Sequence, residues 1–110
     1  MELNEQKTSQ CVILGITGRL DTTNYNVLEK KLLELIDDHN EKILVECSKM
    51  DYVSSSGLRI LLMALKKITM VKGKFVLCGL QENIREIFEI SGFTNIFEIY
   101  GTQEEALKVF

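Results

Sequence analysis

Four short apolar runs, Cys11–Thr17, Lys42–Cys47, Lys74–Cys78 and Ile96–Tyr100, are separated by stretches of helical periodicity, and this alternation constrains the chain more than any other feature. Each run is too short for a core helix and is rich in Val, Ile, Phe or Leu, the mark of a buried strand. Strands that alternate with helices cannot pair as hairpins, so they predict a mostly parallel sheet covered by its own crossover helices. A chain of 110 residues suits one such domain, with an expected radius of gyration of ~13 Å.

The segments between the runs supply the helices. Tyr25, Leu28, Leu32, Leu35 and Ile36 recur at spacings of three and four, with Glu29, Lys30, Glu34 and Asp37 on the other side. This predicts an amphipathic helix with Asp21 or Thr22 as its N-cap. Ser48 to Ser55 reads as a loop, and Ser56-Gly57-Leu58 opens a second helix that reaches about Val71. That helix is apolar over most of its circumference, so its neighbours must cover most of it, leaving Arg59, Lys66, Lys67 and Met63 to water. Gln81 to Ile90 predicts a third helix, with Ile84, Ile87 and Phe88 inward and a left-handed C-cap at Gly92. Thr102 and Glu105 form a capping box that starts a terminal helix. Gly18 is read as closing the first apolar run, and residues 1–10, polar apart from Met1 and Leu3, as a weak edge strand or frayed terminus. The expected fold is a single α/β domain over residues 1–110, with a mostly parallel or mixed sheet of four to five strands and four helices.

The residues available for chemistry are few. One histidine cannot make a two-His metal site, and Cys11, Cys47 and Cys78 lack the spacing of a metal knuckle. Each cysteine lies in or beside an apolar run, which predicts small buried thiols and fits a reducing compartment. His39 sits at a polar helix end, favoured there by the helix dipole. The chain has no nucleophile elbow, dinucleotide fingerprint or Walker loop, and its adjacent carboxylates lie on exposed helix surface. No enzyme activity, metal or cofactor is expected. A formal charge of −3 without a basic cluster gives no footprint for nucleic acid or for direct membrane binding. The longest apolar run, Ile60–Leu65, is far below the ~20 residues of a bilayer span, and the opening residues are acidic and polar, so a cytoplasmic location is expected.

The unusual local feature is Ser54-Ser55-Ser56-Gly57, at the mouth of the most buried helix. A serine hydroxyl at an N-cap satisfies one orphan backbone N–H, worth ~1 kcal/mol, and one serine is enough for that. Three in a row also put small hydroxyls where the helix dipole favours an anion, so the residues alone leave two readings open, a cap or a modification or anion site.

The stretch Met50-Asp51-Tyr52-Val53-Ser54-Ser55-Ser56-Gly57-Leu58-Arg59-Ile60-Leu61-Leu62 resembles the signature of STAS domains, specifically bacterial anti-sigma factor antagonists. Gly18-Arg19-Leu20-Asp21 is similar to the Gly-x-Leu-Asp that precedes the first helix in that family, and Ser91-Gly92-Phe93 before an apolar strand is similar to its third landmark. The resemblance implies a partner switch. The unphosphorylated antagonist binds an anti-sigma factor that is also a serine kinase with a GHKL-type ATP site. Phosphorylation releases the antagonist, and a PP2C-type phosphatase resets it. The family's acceptor, two residues before the glycine, corresponds to Ser55. The acid that usually precedes it is Ser54 here, which leaves Ser54 and Ser56 as secondary acceptors. The implied partner-contacting set is Asp21, Tyr52, Ser54, Ser55, Ser56, Gly57 and Arg59. Asp21 also has the structural task of an N-cap, and Arg59 reads equally as a contact or as a solvated arginine. The free protein is expected to be a monomer. The competing expectation is a STAS scaffold or regulatory subunit of a membrane transporter or other complex, in which the serine loop is only a cap.

Overall fold

Residues 1–110 are described by the computed structural model. Its five strands are β1 (Glu2–Lys7), β2 (Val12–Leu20), β3 (Lys42–Val53), β4 (Lys74–Cys78) and β5 (Glu98–Tyr100). They form one sheet in the order β1-β2-β3-β4-β5. β1 pairs antiparallel to β2, from Glu2 opposite Thr17 to Lys7 opposite Val12, and the other neighbours are parallel. The helices are α1 (Tyr25–Asp37), α2 (Ser55–Met70), α3 (Glu82–Ile90) and α4 (Gln103–Leu107), with a 3₁₀ turn at Phe93–Asn95. The expected mixed α/β sheet is therefore present with five strands and four helices, and the polar N-terminal segment is its edge strand. The radius of gyration is 12.5 Å.

Strand alternation splits the apolar side chains between two layers. Val12, Leu14 and Ile16 of β2, Ile43 and Val45 of β3, and Phe75 and Leu77 of β4 join Leu28 and Leu32 of α1, Leu61 and Ile68 of α2 and Phe88 of α3 in a core of 22 buried residues. Cys11, Ile13, Leu44, Val76 and Cys78 point to the other face, where Ala106 of α4 completes a smaller cluster. Period-2 placement explains how near-continuous apolar runs are covered on both sides. All three cysteines are buried, as read from their neighbours. Burial disfavours the thiolates. It pushes Cys78 up to about 12, helped by the Glu46 carboxylate, and lifts Cys47 further still. The landmark at Ser91-Gly92-Phe93 is a packing device. Gly92 takes φ 77, and the turn it allows brings Phe93 and Phe97 onto Phe88, with ring centroids 6.1 and 5.7 Å away.

Three strand boundaries differ from the sequence reading. β2 does not stop before Gly18 but runs to Leu20; Gly18, at φ 92, sits at a register irregularity inside the strand. β3 does not end at Cys47, and the expected loop Ser48–Ser55 shrinks to Ser54 between β3 and α2. Beyond Glu46, β3 has no partner in β4, and its second half is held by β2 alone, through pairs such as Lys49 with Thr17 and Val53 with Leu20. Polar residues thus form a strand because a neighbour supplies the hydrogen bonds. The last strand is shorter than expected, Glu98–Tyr100, because Phe93–Asn95 turns as 3₁₀ helix before it.

Candidate functional site

The long β2–β3 ribbon ends where α2 begins, and this junction assembles the residues singled out above. The Ser54 N–H donates to the Leu20 carbonyl at 2.9 Å, so the chain leaves β3 still tied to β2. Ser54 is extended, with φ −91 and ψ 171, and its hydroxyl accepts the Gly57 N–H at 3.2 Å. Ser54 is therefore the N-cap of α2, which begins one residue earlier than expected, at Ser55. Ser54 and Ser56 are half-buried, whereas Ser55, in the first helical position, is exposed. Of the three hydroxyls, only that of Ser54 is bonded to the chain.

Gly57 is buried against the end of the ribbon. A Cβ built there would stand 2.6 Å from Leu20 Cγ, closer than atoms pack, and 3.1 Å from Val53 Cγ2, a tight contact. The missing side chain lets the first turn of α2 rest directly on both strands, which fixes where the serines emerge.

Beside the serines, Arg19 and Tyr52 face each other across β2 and β3. The guanidinium carbon of Arg19 lies 4.0 Å from the Tyr52 ring centroid, and its Nε is 3.5 Å from Asp21 Oδ2. Such a cation–π contact contributes ~0.5–1 kcal/mol at an exposed position. It holds an exposed tyrosine and a cation in a defined place next to the loop.

Asp21 is not the N-cap of α1, and neither is Thr22; that position belongs to Asn24, which makes no side-chain cap bond. The chain bends first. Asp21 accepts from the Thr23 N–H at 2.9 Å and the Thr23 hydroxyl at 2.6 Å, while Asn24 accepts the Asp21 N–H at 2.9 Å and donates to the Arg19 carbonyl at 2.8 Å. Asx residues compete with helix for the backbone in this way, so α1 starts at Tyr25. The two Thr23 bonds, with Arg19 as a smaller contributor, hold the Asp21 carboxyl below the usual aspartate range.

Arg59 is exposed one turn into α2 and forms no ion pair. Asp21, Tyr52, Ser54 and Gly57 are thus joined through β2 and β3, Ser55 and Ser56 follow on the first turn, and Arg59 stands farther along the helix. Arg19, Thr23 and Asn24 were missed. The Asp21/Asn24 spacing was a legible turn signal; the Arg19–Tyr52 contact depends on strand register and had none. No surface cavity is lined by any of the three serines.

The STAS domain model matches residues 2–106 of this five-stranded mixed sheet and its four helices, so the chain belongs to the STAS domain family. Among its relatives is BtrV of Bordetella bronchiseptica, named as a candidate anti-sigma factor antagonist. It is 34% identical over 110 residues, covering 100% of this chain and 95% of BtrV. A crystal structure of a candidate anti-sigma factor antagonist from Thermotoga maritima superposes with a TM-score of 0.92 at 22% identity, covering 96% of this chain and 92% of that one. The Bacillus cell fate determinant SpoIIAA, in its phosphorylated form, gives a TM-score of 0.77 at 21% identity over 97% of both chains. The solved structures, all below 25% identity, show a shared fold, and BtrV is the relative here that also shares sequence. No helix of the protein is long and apolar enough to cross a membrane.

Proposed function

We propose that this protein is a phospho-regulated anti-sigma factor antagonist acting in the cytoplasm. Unphosphorylated, it binds an anti-sigma factor that is also a GHKL-type serine kinase. Phosphorylation of Ser55 releases it, and a PP2C-type phosphatase restores binding. The observation that carries this reading is the division of labour among the serines: Ser54 caps the helix, which leaves the exposed Ser55 hydroxyl without a structural task.

The physics of the switch is local. A phosphate on Ser55 adds about −1.5 to −2 charges at pH 7, at a helix N-terminus that tolerates them within the free protein. In a complex formed around a neutral hydroxyl, the same charge meets desolvation and any acidic group opposite, a penalty of several kcal/mol, while each ~1.4 kcal/mol is a tenfold loss of affinity. Release therefore requires no change of fold. Ser54 and Ser56 are less suited as acceptors because both are half-buried and Ser54 is engaged at Gly57.

The test is to incubate the protein with its cognate kinase and ATP, map the phosphate by mass spectrometry, and measure binding of the Ser55→Ala and Ser55→Asp variants. Phosphate on Ser55, persistent binding by Ser55→Ala and loss of binding by Ser55→Asp are expected. Phosphate confined to residues outside 54–56, or equal binding by both variants, overturns the reading.

A further inference from the structure

Helix α2 carries a feature that neither its packing nor its cap requires. Its residues Ser55–Met70 include three bases, Arg59, Lys66 and Lys67, and no acid, in a chain whose formal charge is −3. None of the three bases forms an ion pair. Starting from Ser55, the residues Arg59, Leu62, Lys66 and Met70 follow at steps of four, three, four and four, the spacing that keeps side chains on one helix face. The stripe opposes the buried face formed by Leu58, Ile60, Leu61, Ala64 and Ile68. It is not purely polar. Leu62 and Met63 are half-buried among the bases, Met70 is 83% exposed, and Val71 just beyond the helix is exposed. Two shallow grooves lie along it, about 310 Å³ between Arg59 and Lys67 and about 210 Å³ where Lys67, Met70 and Val71 approach Ile36 and Asp37 of α1.

Dipole complementarity accounts for a base in the last turn, where Lys67 lies, but not for the absence of any acid or for the open methionine. Unpaired bases interleaved with flexible apolar side chains make a surface complementary to an acidic segment bearing apolar anchors, and methionine is the side chain that adapts to such partners. We infer that this α2 stripe is a docking surface for an acidic, amphipathic polypeptide segment of a protein partner, and that Ser55 controls it from its head. The control rests on the reading of Ser55 as a phosphoacceptor. Phosphoserine at 55 would stand four residues before Arg59, within reach of an intrahelical pair, and would bring helix α2 from three positive charges to about one. One modification thus blocks the serine loop and weakens attraction along the helix beyond it.

The surface is tested without the natural partner. A synthetic amphipathic peptide of about 18 residues, with Leu on one face and Glu on the other, is titrated into ¹⁵N-labelled full-length protein. A Gln-for-Glu version and phosphatidylcholine vesicles containing phosphatidylglycerol are run in parallel. Saturable shifts at Arg59, Leu62, Met63, Lys66 and Met70 are expected with the Glu peptide only, weakened about tenfold in the Lys66→Glu/Lys67→Glu variant and by added salt. A phosphorylated or Ser55→Glu protein should bind more weakly. Absence of saturable shifts, equal binding of the Gln peptide, no loss in the double variant, or a response to vesicles alone overturns the proposal. Peptide binding by a protein whose Ser55 variants bind an anti-sigma factor equally keeps the surface and sinks the switch. A working Ser55 switch with an inert stripe does the reverse.

Discussion

Gly57 and Leu20 are in such close register that a single methyl on the glycine would come within 2.6 Å of the leucine Cγ. Leu20 is fully buried at the last position of β2, so it cannot swing aside into solvent. The contact seats the first turn of α2 on the sheet and sets the height at which Ser55 leaves the surface.

Gly57→Ala is therefore expected to destabilise the protein although alanine is the better helix former. Overpacking costs roughly 1–3 kcal/mol, against about 1 kcal/mol gained in helix propensity. Urea denaturation should show a net loss of up to about 2 kcal/mol with an unchanged slope. A stabilised variant would mean that the junction is looser than its geometry.

The neighbouring serines should separate by stability alone. Ser54→Ala removes the acceptor of the Gly57 N–H and should cost about 1 kcal/mol. Ser55→Ala removes an exposed hydroxyl with no bond to the chain and should stay within about 0.5 kcal/mol of the parent. Equal losses in the two variants would contradict the assignment of the cap to Ser54.

Asp21 gives the junction a pH dependence. Its folded-state carboxyl lies below the ordinary aspartate range, because Thr23 donates to it from both hydroxyl and backbone. The ionised form is the one the fold favours, so its contribution is fully present above the unfolded-state value. It fades as pH falls through the lowered folded-state value. Asp21→Asn should accordingly be less stable than the parent at neutral pH, with the difference shrinking in acid. Denaturation midpoints of both proteins, measured from pH 7 down to about 2, check this. A gap that stays constant or widens in acid would remove Asp21 from the account.

How much of this was legible in the sequence differs element by element. α2 and β4 declare themselves because Leu58, Leu61, Ala64 and Ile68, or Phe75–Cys78, carry their pattern within one segment. Thr102 likewise marks α4, accepting the Glu105 N–H at 3.1 Å as its spacing implies. The second half of β3 does not. Ser48, Lys49, Asp51 and Tyr52 are exposed, and only the hydrogen bonds of β2 make them a strand.

The junction follows the same division. Local chemistry in the sequence determined that a helix starts among three serines before a glycine, and that the landmarks are those of a STAS domain. Only the tertiary structure decided that Ser54 takes the cap and Ser55 is left exposed. It alone set Arg19 over Tyr52. Each of those outcomes depends on how β2 registers with β3 or on how the backbone partitions competing hydrogen bonds, and neither is encoded in the spacing of residues along one segment.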